Sequence, residues 1–434
     1  MQNKLKKTLL AGALSSLFAV AAGGTHAAGF ALIEQSGSGM GNAFAGAAAV
    51  AEDASTVYFN PAGMSLLEGS QFAVAGHVIA VSSKFSGTAT NPLALGGGAA
   101  TGGNGGDAGE TAVVPNGYIV MPVSDRMHFG VGVSVPFGLA TEYDADWIGR
   151  FQGVRSELAT LNINPSVSYK ASDTISIGGG VNYQLADAEL TNAVVLGPGL
   201  TGKTKLEADD DGWGWNLGVL IKLAPSTRIG VSYRSEIDYD LEGSVTTTAD
   251  ATGTVVGVAS GASHAEVTFP DMLSLSVAHD VSDRLQLLAD VTQTGWSSIN
   301  EIKVINSTTG GTRDVLEFDF DDAMRYSIGA NYRWSDAWML KAGVAFDETP
   351  VKAADSRTVR LPDSDRTWIS IGGQVRLGSN GRLDLGYSHL FIDDADINFT
   401  KTPLPPLGAA GATTVTGTYE GSVDIFSVQY SQSF

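Results

Sequence analysis

The chain ends on an alternation that runs to its last residue. Counting back by twos from Phe434 gives Gln432, Tyr430, Val428 and Phe426, and the residues between are Ser433, Ser431, Gln429, Ser427 and Ile425. One face is aromatic and apolar, the other mostly small and polar. A two-residue period belongs to a β-strand whose faces meet different media. Lipid on one side and a wet lumen on the other is the setting of a transmembrane barrel strand. A soluble edge strand can also alternate, so the rest of the chain must decide.

The other terminus reads as an export signal. Lys4, Lys6 and Lys7 precede an apolar run from Leu9 to Ala22, and Thr25-His26-Ala27 supplies small residues at the cleavage positions. Residues 1–27 are expected to be removed, leaving a start of Ala28-Gly29-Phe30. No later stretch approaches about 18 unbroken apolar residues, so no spanning helix is expected. There are no cysteines, so an exported chain must rely on a large core or a closed barrel rather than disulfides. Neither a linker nor a shift in composition divides it into soluble domains. The formal charge of −20 makes nucleic acid a poor partner. It fits solubility, or acidic loops bridged by divalent cations to lipid headgroups. No cofactor or metal site is indicated by residue spacing.

From residue 69 onward, short turns recur at Ser124-Asp125-Arg126, Ser172-Asp173-Thr174, Ser226-Thr227-Arg228, Ser282-Asp283-Arg284, Ser335-Asp336-Ala337 and Ser379-Asn380-Gly381. Such residues satisfy a chain reversal locally. Between them lie longer stretches at 86–111, 139–153, 191–210, 243–263, 306–314, 349–364 and 398–416. Short turns on one side and long loops on the other predict an all-β fold, a 14-stranded antiparallel transmembrane β-barrel over 69–434. The parity repeats within strands. Trp213, Trp215, Leu217, Val219, Ile221 and Leu223 oppose Gly212, Gly214, Asn216 and Lys222. Over 316–334, Leu316, Phe318, Phe320, Tyr326 and Ile328 oppose Glu317, Asp319, Asp321 and Arg325. A charge facing lipid at mid-bilayer costs about 2–4 kcal/mol, so Arg325, Lys341 and Arg366 are expected to face the lumen.

Residues 28–68 do not alternate. They contain Ser36-Gly37-Ser38-Gly39, an alanine-rich stretch and Asn60-Pro61-Ala62. Asn60 is suited to cap a short helix that starts on Pro61. A segment of this size is expected to sit as a small helical hatch, or plug, in a lumen too wide for side chains alone to fill. Its start at Ala28-Gly29-Phe30, the Ser-Gly-x-Gly run, Asn60-Pro61-Ala62, the stretch Pro136 to Tyr143 with Trp147, Asn164-Pro165-Ser166 and the terminal Phe434 together resemble the long-chain fatty acid outer-membrane transporter (FadL-type) family, which includes aromatic-hydrocarbon uptake channels. The likeness covers essentially the whole mature chain.

That resemblance implies passive uptake across the outer membrane of a Gram-negative bacterium. The ligand is caught by external loops, passes a site near the hatch N-terminus and leaves sideways through a kink in the third strand. Phe30 is implied as a ligand contact, and Phe434 is the expected signal to the barrel-assembly machinery. The residues nominate Leu139, Tyr143, Trp147, Ile148 and Phe151 as an apolar capture loop, the alternative being that they pack on a neighbouring loop. Gly130, Gly132 and Pro136 are nominated for the kink, or the glycines make room for the hatch. Arg325 and Arg366 are candidates for a ligand carboxylate, with pairing to Glu317, Asp319 or Asp321 as the structural alternative. Trp296 and Trp368 either line an apolar path or pack on the hatch. The expected partners are fatty acids or similar hydrophobic molecules and outer-membrane lipid, around a monomer. No hydrolase elbow, zinc motif or phosphate loop is present, so no enzyme is indicated. A general diffusion porin is the weaker alternative, and fatty acid against aromatic hydrocarbon stays open.

Overall fold

The computed structural model describes residues 29–405 and 407–434, and the expected signal at 1–27 lies outside them. Fourteen antiparallel strands form a closed barrel. β1 is Gln71–Ala89, β2 is Thr111–Ser124, and β3 comes in two pieces, Met127–Ser134 and Gly138–Glu142. β4 is Arg155–Lys170, β5 Ile175–Gly197 and β6 Leu200–Ala224. Four two-piece strands follow. They are β7 (Thr227–Arg234, Ile237–Ala249), β8 (Gly261–Phe269, Met272–Asp280), β9 (Leu285–Thr294, Glu301–Asn306) and β10 (Thr312–Glu317, Ala323–Arg333). β11 is Trp338–Asp347, β12 Arg366–Leu377, β13 Gly381–Ile392 with Ala395–Lys401, and β14 Thr413–Ser433. β14 returns to β1 in register from Gln71↔Ser433 to Ala89↔Val415, which closes the cylinder.

All six short turns fall where expected. One expected loop does not. Residues 191–210 continue the β5–β6 ladder up to Gly197↔Leu200, so that this hairpin projects as paired strand and only Pro198-Gly199 reverses it. Gly199 has φ +69, a conformation open to glycine at no steric cost.

In the half of the barrel nearer the short turns, side-chain parity holds. Trp213, Leu217, Ile328, Leu385, Phe426 and Val428 are exposed to the outside, while Asn162, Asn164, Arg325, Lys341 and Arg366 are buried inside. Above the strand breaks the parity inverts. Val231 faces out, but two-step continuation places Ile237, Tyr239 and Leu241 inside, and Leu273 and Leu275 face out while Ala265, Val267 and Phe269 face in. Phe391 and Ile397 behave alike across Asp393-Asp394. The expected single face over 316–334 is therefore corrected: the chain breaks at 318–322, Asp319 adopts φ +48, and Phe320 turns inward. A break of the ladder rotates the strand, so a period that shows apolar residues to lipid below gives the outer half an apolar interior.

Residues 29–67 pack against the inward faces of the strands. Three single-turn helices, Gly37–Met40, Ala47–Val50 and Thr56–Phe59, precede a 3-10 helix at Pro61–Leu66. Asn60 caps the last through its Oδ1, which accepts from Ala62 N at 3.0 Å, and its Nδ2 donates to Ala48 O at 2.7 Å and Val219 O at 3.0 Å. The facing wall is made of glycines: a Cβ at Gly178, Gly218, Gly230 or Gly343 would overlap Ala62, Asn60, Ala48 or Asn42. The segment's backbone thus docks directly on strand backbone.

Candidate functional site

Gly29 starts the site. Its φ of +62 and the Trp296 ring, 2.5 Å from where a Cβ would stand, leave room only for glycine. Its N–H donates to Asp363 Oδ2 at 2.9 Å, and Asp363 also accepts from Thr349 Oγ1 at 2.6 Å and is ion-paired with Arg366. Arg366, nominated for a ligand carboxylate, is thereby committed to the carboxylate that holds the N-terminal segment.

Phe30 is consequently fixed among aromatic rings, at 4.6 Å from Trp296, 5.4 Å from Phe269 and 6.0 Å from Phe137 between centroids. Edge-to-face contacts of this kind add about 0.5–1.5 kcal/mol each beyond burial. A cavity lies on each side of this cluster. The outer one, about 910 Å³, is lined by Phe30, Leu139, Leu241, Phe269, Ile302, Phe318 and Leu361 among others. It is the apolar interior produced by the inverted parity. The inner one, about 840 Å³, is bounded by Ala31, Trp296, Tyr58, Arg234, Arg325, Asp290 and Asp347.

The outer cavity holds one buried guanidinium and the inner one two, of which Arg234 is engaged by Asn182 Oδ1 and Tyr58 O. Arg325 donates from Nη2 to Ala43 O at 2.8 Å and lies 5.1 Å over the Trp368 ring, while Nε and Nη1 have no hydrogen-bond partner among the described residues. Its expected partners Asp319 and Asp321 instead hold Lys352, because the break at 318–322 turns them outward. In the outer cavity the cation is Arg360, which the sequence reading missed. Nη1 donates to Arg155 O and Ser156 Oγ, each at 3.0 Å, and Nε has no partner among the described residues. Burial pushes its pKa down to about 10, against the opposing field of Asp314 and Tyr143, so it stays charged at neutral pH. Nothing in its loop, 349–364, carries a period that could have marked it.

The nominated capture loop is also corrected. Tyr143, Trp147, Ile148 and Phe151 are buried, not displayed. Tyr143 stacks on Trp147 at 4.0 Å and donates to Val359 O at 2.7 Å, and Trp147 meets Phe85 at 5.8 Å. They form the core of a loop cap. Leu139 alone of the five reaches the outer cavity.

The third strand breaks at 135–137, around Pro136. Gly130 and Gly132, nominated for the kink, stand instead in unbroken pairing with Val120 and Tyr118. Their missing side chains make room for Met64 and Val57 of the N-terminal segment and for Tyr118. The β2–β3 ladder stops at Gly117↔Val133, while the outer piece of β3 pairs with β4. A seam is left between residues 111–116 of β2 and 135–141 of β3, closed beyond it by Glu142 N, which donates to Ala108 O at 3.0 Å. Along it the N-terminal segment takes the place of β2: Leu32 N donates to Pro136 O at 2.8 Å and Gly138 N to Phe30 O at 2.9 Å.

Glu34, in the same segment, is buried near Arg325, Asp347 and Arg366, and burial raises its pKa to about 7. The seat therefore favours the neutral carboxyl. Its contribution is complete below the ordinary value of 4.5 and is lost as pH rises through about 7, a swing of about 3 kcal/mol. Amide exchange at Leu32 and Gln35, corrected for intrinsic rate, is expected to quicken from about pH 5 to about pH 8, and Glu34→Gln should flatten that profile. A flat profile in the unmodified protein would refute the linkage.

Comparison with known proteins places this architecture. Residues 18–434 match the family described as outer membrane protein transport protein (OMPP1/FadL/TodX). Outer membrane protein P1 of Haemophilus influenzae is 30% identical, with 99% of this chain and all of the relative aligned. The long-chain fatty acid transport protein of Escherichia coli K12 is 28% identical over 86% of this chain and 89% of its own. Among solved structures, a FadL homologue of Pseudomonas aeruginosa superposes with a TM-score of 0.88 over 94% of this chain and 100% of that one, at 24% identity. The Pseudomonas putida toluene transporter TodX gives 0.66 over 88% and 94%, at 20% identity. With a closed 14-stranded barrel and a family match over nearly its whole length, this chain belongs to the OMPP1/FadL/TodX family of outer-membrane transport proteins.

Proposed function

We propose that the protein carries long-chain fatty acids, or hydrophobic carboxylates of similar shape, passively across the outer membrane. The observation that carries this reading is the outer cavity: lined mostly by apolar side chains, with one guanidinium whose Nε is uncommitted among the described residues. The other charged lining residues are engaged, Glu157 with Arg155 and Glu207 with Lys205. A chain of methylenes fills such a space and a carboxylate pairs with Arg360. A groove of about 740 Å³, which shares Leu316, Phe318 and Arg360 with that cavity, leads in between the last three long loops. Residues 28–68 act as the hatch: displacement of Phe30 joins the outer cavity to the inner one, where Arg325 receives the headgroup, and the β2–β3 seam is the way out to lipid. Phe434 presents the assembly signal, and the barrel works as a monomer in outer-membrane lipid.

The aromatic walls around Phe30 favour a second reading, a monoaromatic hydrocarbon as cargo. Uptake of labelled oleate and toluene by deletion and complemented cells separates the two. Gene-dependent oleate uptake is the expected result. Equal uptake of both compounds with and without the gene would overturn transport altogether.

A further inference from the structure

We propose that Gln35 and Asn116 form a side-chain clasp that holds the β2–β3 seam shut, replacing the backbone ladder that is missing there. This rests on the seam being the exit proposed above. Gln35 is fully buried and joins three elements through one carboxamide. Its Nε2 donates to Val135 O, at the break in β3, at 2.7 Å and to Leu32 O at 2.9 Å. Its Oε1 accepts from Asn116 Nδ2, on β2, at 2.9 Å. Asn116 Oδ1 in turn meets His77 Nε2 of β1 at 2.8 Å, and His77 Nδ1 meets Ser427 Oγ of β14 at 2.6 Å. Ser427, His77, Asn116, Gln35 and Val135 thus form a polar chain across four strands and the N-terminal segment. It crosses the barrel wall where backbone pairing between β2 and β3 is absent.

Position makes the clasp responsive. Gln35 follows directly on the residues that line β3, with Phe30 O taken by Gly138 N and Leu32 N given to Pro136 O. A ligand that displaces Phe30 peels this run from β3 and withdraws the carboxamide from Val135. The buried amides then lose their partners together, so the seam opens as a unit rather than by degrees. Gln35 is a positioning residue: it touches the gate, not the cargo.

The absence of native cysteines allows a direct test. Val114 lies on β2 beside the seam, is 5% exposed and packs in the cluster that contains Leu32 and Val135. In the full-length Val114→Cys protein, maleimide labelling reads seam opening. Adding Gln35→Leu is expected to raise the ligand-free labelling rate about tenfold, the factor equivalent to 1.4 kcal/mol and the order expected for two net hydrogen bonds. Asn116→Leu, which cuts the same chain from the barrel side, should do likewise and serves where the first variant assembles poorly. Ser36→Ala removes the cap that accepts from Gly39 N at 3.1 Å, loosens the neighbouring helix without touching the seam, and should leave labelling unchanged. Oleate should raise labelling of the parent and add little to Gln35→Leu. Unchanged ligand-free labelling in both clasp variants, or an equal rise in Ser36→Ala, overturns the clasp. If oleate is neither bound nor taken up by the parent protein, the transport reading fails instead, and the ligand-free comparison still decides the clasp.

Discussion

Gly230→Val combined with Gly343→Val is expected to turn a closed barrel into an ion-conducting one. Gly230 lies under the Ala48 carbonyl and Gly343 under that of Asn42, so a side chain at either position occupies space now filled by backbone. The strand cannot yield, because each residue is held by ladders on both sides. The N-terminal segment has only short local helices, and individual bonds rather than a ladder on each side fix it to the wall, such as Arg228 Nη1 to Val50 O at 3.0 Å and Ala48 N to Ser276 Oγ at 3.0 Å. Overpacking costs about 1–3 kcal/mol per site, and sites this far apart should add, giving roughly 2–6 kcal/mol against the seated state. The purified variant should keep its β-type circular dichroism while planar-bilayer recordings show steady current in place of silence. Silent recordings with an unchanged melting profile would show that the docking surface tolerates bulk and that the wall is not shaped to the segment.

Arg360→Met should lower oleate affinity, and oleate uptake at limiting concentration, by about 10–100-fold. That range corresponds to the 1.5–3 kcal/mol of a hydrogen bond to a charged partner. The parent protein should prefer oleate to its methyl ester and the variant should not, because the ester offers no charge for the guanidinium to meet. Toluene uptake, if present, should be untouched. The barrel should not be destabilised, since the variant replaces a desolvated cation in apolar surroundings by a side chain of similar length. Identical affinity for oleate and its ester in the parent would move the headgroup away from Arg360. Arg325, with two uncommitted guanidinium nitrogens in the inner cavity, would then be the next position to vary.

Much of the fold was legible residue by residue. Phe426 and Val428 face out and Ser427 and Gln429 face in, as the terminal alternation required. The turn at Ser172-Asp173-Thr174 and those at Ser124, Ser282 and Ser335 carried their own signal in serine hydroxyls that accept from nearby backbone, as Ser172 Oγ does from Thr174 N at 3.2 Å. The site was legible only in part. Phe30 and Pro136 stand at the aromatic cluster and at the strand break. Tyr143 and Trp147 looked like a displayed patch because a loop has no period to reveal what it packs on. Arg366 and Arg360 are six residues apart and chemically alike. Only their neighbours, Asp363 for one and an apolar cavity for the other, separate an anchor from a candidate ligand contact.

Local chemistry by itself determined the count of strands, the tight turns and which side chains share a face, because each depends on residues a few positions apart. Which way that face points was decided by the tertiary structure. Where β7, β8, β10 and β13 break, the same alternation that meets lipid below turns inward above and builds the apolar cavity. The breaks themselves are stabilised by distant partners, among them an N-terminal segment that pairs with β3 where β2 does not. A period of two specifies a strand's two faces. Only closure of the barrel around its own leading residues specifies which medium each face meets.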